Sequence, residues 1–75
     1  MSRSRAPELP LCTRAREATG LTQSQFSVMY RIPIGTIRHW EQRMREPDEA
    51  AKVYLTMILA KPQMVARLVR IIFPD

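Results

Sequence analysis

Four helix breakers, Gly20, Pro33, Pro47 and Pro62, cut this chain into five pieces, each long enough for a short helix and for little else. Glycine accepts the left-handed conformation that stops a helix, and proline cannot continue a helix but opens one readily. Between the breakers, apolar residues recur at spacings of three and four, and no two-residue alternation persists, so the expected fold class is all-α. The pieces read as helices at about 10–19, 22–30, 34–43, 48–60 and 62–72, in one compact domain over 9–75 behind a loose, polar N-terminal tail at 1–8.

The same spacing assigns the buried faces. Leu11, Ala15 and Ala18 are expected to face inward from the first helix, and Phe26, Met29 and Tyr30 from the second. The third offers Ile37, Trp40 and Met44, the fourth Ala51, Tyr54, Leu55, Ile58 and Leu59. The fifth carries Val65, Leu68, Val69 and Ile72 on one side, with Arg67 and Arg70 on the other. Thr22 and Gln25 form a T-x-x-Q capping box, with Leu21 and Phe26 placed as its hydrophobic staple. Asp48 is an N-cap for the fourth helix, followed by Glu49 where the helix dipole favours an acid. So few residues separate the second and third helices that the two must cross steeply, which is the geometry of a helix-turn-helix.

Charge narrows the function. The formal net charge is +5, from 12 Lys and Arg against 7 Asp and Glu, and all but Lys52 and Lys61 of the cations are arginine. The planar guanidinium suits phosphates and guanine edges, so this balance points to nucleic acid. The plainer account, an arginine-rich genome and a solvated surface, stays open. Cys12 has no cysteine partner, which fits a reducing cytoplasm, and no disulfide or cysteine zinc site is expected. The apolar run "VYLTMILA" at 53–60 is too short to cross a bilayer, and "MSRSRAPELP" lacks the apolar centre of a secretory signal. No Ser-His-Asp grouping, paired-carboxylate motif, phosphate loop or H-E-x-x-H pattern is present, so neither catalysis, metal nor cofactor is expected.

The stretch "GLTQSQFSVMYRIPIGTIRHWEQ" resembles the XRE-type, lambda-repressor-like helix-turn-helix proteins. Their usual pattern is L-T-Q, a small residue five places after the threonine, a turn, and a T-I-x-x-W-E run. Leu21, Thr22, Gln23, Ser27, Thr36, Ile37, Trp40 and Glu41 hold those positions here. Within that family, "IPIGTIRHWEQRMREPD" looks most like HigA-type antitoxins and related small regulators. The resemblance implies a structural ion pair between Arg16 and Glu41, and a phosphate-and-register role for Gln23. One departure is Arg31, where the family usually has glycine. A left-handed non-glycine costs about 1 kcal/mol, so a reshaped turn is expected there, with Pro33 compensating by fixing φ at the helix entrance.

The third helix is the expected reading head, because the major groove admits one α-helix and presents a distinct pattern at each base pair. Base contacts are assigned to Ile34 (a thymine methyl), Gly35 (close backbone approach), Arg38 and His39. Phosphate contacts are assigned to Thr22, Gln23 and Ser24 at the amide-bearing start of the second helix, to Thr36 and Gln42, and to Arg43 and Arg45 beyond the third. Duller readings stand beside these. His39 fits a solvated surface, Arg43 and Arg45 fit helix C-terminal cations, Thr22 fits capping alone, and Cys12 fits a helix-face filler rather than a redox sensor.

"MVARLVRIIF" cannot bury all its apolar side chains in so small a domain, so Leu68, Ile71, Ile72 and Phe73 are expected at a dimer or partner interface. The alternative is that this segment folds over the first helix and completes the monomer core. The expected partners are a palindromic double-stranded DNA operator, a second copy of the chain and, from the resemblance, a RelE/HigB-like toxin, but no membrane. The expected function is a sequence-specific repressor autoregulating its operon as the antitoxin of a type II toxin–antitoxin pair. The competing class is a protein-interaction module with weak or no DNA binding.

Overall fold

The computed structural model of the protein describes residues 8–74, so the tail expected at 1–8 lies, except for Glu8, outside the described residues. Five helices follow in order: α1 Leu11–Thr19, α2 Gln23–Tyr30, α3 Ile34–Glu41, α4 Glu49–Ala60 and α5 Pro62–Ile72. No strand occurs among the described residues. Local chemistry explains most of the boundaries. Gly20, at φ 75°, stops α1 and returns its amide to the carbonyls of Arg16 and Glu17. Both halves of the capping box form at α2: Gln25 N–H donates to Thr22 Oγ1 at 3.1 Å, and Thr22 N–H to Gln25 Oε1 at 3.0 Å. Ala51 N–H donates to the Asp48 carboxylate at 2.9 Å to start α4, and Pro62 opens α5.

The core is built from Cys12, Phe26, Ile37, Leu55 and Ile58, all fully buried, with Ala15, Tyr30, Ile32 and Val65 around them. Leu21, the staple residue, packs against this cluster. α1 lies against α3, α4 and α5, and α2 lies against α3 and α5. Two tyrosines tie the ends of elements together. Tyr54 Oη donates to the Tyr30 carbonyl at 2.7 Å, satisfying a terminal acceptor of α2, and Tyr30 Oη donates to the Pro62 carbonyl at 2.8 Å. α5 therefore closes the core along its Val65 and Val69 edge, while Leu68, Ile71, Ile72 and Phe73 remain exposed.

Several inward assignments differ from the spacing argument. Ala18 is exposed, and Cys12 and Thr13 are buried in its place, so the inner face of α1 is rotated. Met29 is exposed, because the face of α2 that meets the core is narrow and Phe26 and Tyr30 fill it, with ring centroids 4.9 Å apart. Met44 is 65% exposed, because α3 ends at Glu41 instead of continuing to 43. Arg43 adopts φ 62°, and the bonds Arg43 N–H to Trp40 O and Met44 N–H to His39 O close the helix in a Schellman arrangement that turns Met44 away.

The expected reshaping of the turn at Arg31 does not occur. Arg31 keeps the left-handed conformation, at φ 60° and ψ 45°. The Ile32 amide reaches the Ser27 carbonyl, and the Ser27 hydroxyl donates to the Ile32 carbonyl at 2.6 Å. The guanidinium of Arg31 lies 5.0 Å from the centroid of the Phe73 ring. These contacts offset the strain that a glycine would have avoided.

Candidate functional site

α3 is anchored from behind and open in front. Ile37 is fully buried, Trp40 is half-buried against the core, and Glu41 closes the inner face. Gly35, Arg38, His39 and Gln42, at i, i+3, i+4 and i+7, are all exposed and form one continuous outer stripe. The chain itself has no need of a glycine at 35. Its φ is not left-handed, and a Cβ built there meets nothing within 4 Å. A glycine in a helix costs roughly 0.5–1 kcal/mol relative to alanine, so this position gives up stability without an internal reason.

The inner side of α3 rests on a polar hub. Arg16 grips Glu41 with both arms, Nε to Oε2 at 2.8 Å and an Nη2 to Oε1 at 3.0 Å, while its third nitrogen donates to the Leu21 carbonyl at 3.1 Å. Gln23 Nε2 donates to Glu41 Oε1 at 3.1 Å, and the Cys12 thiol faces Oε2 at 3.8 Å. One carboxylate thus joins α1, α2 and α3. The Glu41 side chain is only 9% exposed. Burial pushes its carboxyl pKa up, but the hydrogen bonds from Arg16 and Gln23 and the guanidinium charge outweigh that, leaving it below the ordinary carboxylate range. Burial and the neighbouring carboxylate push the Cys12 thiol up to about 12, which keeps it protonated and unreactive. The positions of Arg16 and Glu41 match the expected ion pair. The inclusion of Cys12 was missed, although Cys12 and Arg16 lie four apart on one helical face.

The remaining assigned residues separate by environment. Ile34 is half-buried rather than exposed, so the apolar contact expected of it is only partly available, and Thr36 is half-buried too. Gln23 is half-buried with its amide nitrogen committed to Glu41, which leaves its oxygen and backbone amide for other contacts. Thr22 and Ser24 are exposed at the start of α2, with the Thr22 hydroxyl serving as cap. Arg45 is exposed, and so is Arg43, whose guanidinium donates to the Glu8 carbonyl at 2.7 Å and so tethers the segment preceding α1. From Leu21 to Trp40 the chain carries Arg31 and Arg38 and no acid, and the charge of Glu41 is met by Arg16. The outer stripe of α3, with Arg38 exposed and no acid on it, is therefore cationic.

Among the described residues, no group of three or more His, Cys, Asp or Glu is placed to hold a metal ion, and no helix is long and apolar enough to cross a membrane. No protein-family profile matches the chain, and no curated protein matches it either. Among solved structures, the chain is similar to the crystal structure of a HTH XRE-family like protein from Agrobacterium tumefaciens. The TM-score is 0.79 at 44% sequence identity, over 83% of this chain and 100% of that one.

Proposed function

The chain belongs to the XRE-family-like helix-turn-helix proteins, and from that premise we propose that it is a sequence-specific DNA-binding transcriptional repressor that reads the major groove with α3. The observation that carries this reading is the outer stripe of Gly35, Arg38, His39 and Gln42 on a helix fixed from behind by Ile37 and Glu41. Gly35 lets the helix backbone approach the groove floor, and Arg38 and His39 supply donors for base edges. Gln23 and Ser24 present the free amides of α2 to one phosphate strand, with Thr22, whose own amide is held by Gln25, beside them, and Arg43 and Arg45 lie at the other end of α3. Ile34 and Thr36 contribute at the margin of the contact.

One such helix makes few base contacts, so the operator is proposed to be a palindrome read by two copies, joined through the outer edge of α5 at Ile71. The finer reading is that the protein autoregulates its operon as the antitoxin of a type II pair and binds a RelE/HigB-like toxin. Its support is the likeness of "IPIGTIRHWEQRMREPD" to HigA-type antitoxins. Growth rescue on co-expression with a neighbouring toxin-like reading frame is the test of that role.

A protein-interaction module is the second reading, favoured by the exposed apolar end of α5. Salt decides between them. Affinity for a fragment upstream of the gene should fall steeply as salt rises, with a slope of about −0.9 per phosphate neutralised. Arg38→Ala should cost about 1–3 kcal/mol on the specific site and little on random duplex. A shallow salt slope with an unaffected Arg38→Ala variant rejects the repressor.

A further inference from the structure

α5 carries an apolar surface beyond what closes the core, and its character is specific. Two depressions flank the Arg31–Phe73 stack. One, of about 420 Å³, runs between the end of α2, α4 and α5 and is walled by Tyr30, Tyr54, Met57, Leu68 and Ile72. The other lies between α2 and α5, walled by Val28, Met29, Ala66, Arg70 and Pro74. Arg31, Val69 and Phe73 line both, so the stack is a ridge shared by the two. Val28 is 79% exposed, Ile72 62% and Phe73 51%. Through the shared Val69 and Phe73 the two linings form one continuous apolar patch, the kind of surface that marks a partner site.

The charges around this groove have one sign. No acidic side chain lines either depression among the described residues; the charged ones are Arg31 and Arg70. α2 carries no charged residue, and α5 carries only Arg67 and Arg70. A second copy docked face to face would set this arginine-only surface on itself, since an isologous contact repeats the same patch. Arg31 is also held in a left-handed conformation that glycine would adopt without strain, so its side chain is present at a conformational cost. Its guanidinium lies at the junction of both depressions, over an exposed ring that holds it weakly.

We propose that the paired depressions on either side of the Arg31–Phe73 stack form a docking groove for an apolar, acid-flanked segment of a partner protein. Apolar side chains of the segment fill the two depressions, and a carboxylate at its centre pairs with Arg31 and another with Arg70. The groove lies on α2, α4 and α5, away from the α3 stripe, so partner and DNA can be held together. This inference goes beyond DNA reading and does not depend on it.

The test is a titration of the full isotope-labelled chain, followed by amide shifts, with two synthetic amphipathic peptides. Both carry leucines at i, i+4 and i+7, with glutamates between and beside them in one and lysines at the same places in the other. The glutamate peptide should move the amides of Arg31, Val69, Ile72 and Phe73, and the lysine peptide should bind at least about ten-fold more weakly, a difference of about 1.4 kcal/mol. Arg31→Gly, which relaxes the turn and so keeps the fold, should weaken the glutamate peptide about three-fold or more, and Phe73→Ala should do likewise. Equal binding of the two peptides, shifts confined to α3, or an Arg31→Gly variant that binds as the wild type does overturns the proposal. So does a wild-type dimer that Phe73→Ala dissociates, because the groove then belongs to a second copy. Loss of duplex binding with peptide capture intact would count against the repressor alone.

Discussion

Arg16 and Arg31 each hold two helices together, but in opposite settings. Arg16 makes a two-armed bond to a carboxylate that is 9% exposed and also bound by Gln23, so nearly every donor and acceptor there has a partner. Arg31 lies over a ring that is half in solvent, with no acidic side chain lining the depressions beside it among the described residues. The first arrangement is expensive to break, because it strands charge away from water. The second is worth about 0.5–1 kcal/mol and is readily exchanged for another partner. The side of the molecule behind α3 is thus built to stay fixed, and the end of α5 is built to be covered.

That contrast is open to direct attack. Glu41→Ala should destabilise the fold by about 3 kcal/mol, read from urea or thermal unfolding, since it leaves Arg16 unpaired and Gln23 without its acceptor. A loss below about 1 kcal/mol would mean the hub is no stiffer than a surface pair. Acid sharpens the same point. Because the folded Glu41 carboxyl is depressed, its contribution is present above the ordinary carboxylate range and is lost as pH falls through the lower, folded value. Unfolding curves taken down that range should therefore show a steeper acid loss in the wild type than in Glu41→Gln, whereas Phe73→Ala should keep the wild-type slope.

Smaller effects test the two exposed regions. Gly35→Ala should raise the stability of the free protein by about 0.5 kcal/mol, since the added methyl meets nothing and alanine favours the helix. The same change should lower operator affinity by about ten-fold, or 1.4 kcal/mol, by holding the backbone off the groove. Stability and affinity moving in the same direction would remove the argument for close approach. Smallest of all, Phe73→Ala should cost the isolated monomer less than about 1 kcal/mol in a thermal melt. A larger cost would make the end of α5 part of the core.

Most of the fold was legible because its signals are local. Gly20, the Thr22–Gln25 box, Asp48 and Pro62 each act within one turn of chain, and each defines a helix end in the structure. Burial within the helices was less legible. α2 and α3 have 8 residues each, so a stripe drawn through them rotates easily, and Met29 and Met44 fell on the wrong side of it. Arg31 was misread for a related reason. The absence of glycine suggested a different turn, but the Ser27 bonds and the Phe73 ring hold the left-handed one. In the site, the exposed stripe of α3 followed from spacing alone, whereas the attachment of the Gln23 amide to Glu41 was not deducible from either residue's place in the chain.

What the amino-acid order determined by itself was the number of helices, the caps at Gly20, Thr22 and Asp48 and the exposed stripe of α3, because capping and periodicity operate between neighbours in the chain. Tertiary structure alone decided which arginine met a carboxylate and which met a ring. Arg16 and Glu41 are 25 residues apart, and Phe73 reaches Arg31 only after α5 has crossed back over α2. Those pairings depend on the angles at which helices pack, which are set by how the whole core fills and not by any short stretch of sequence.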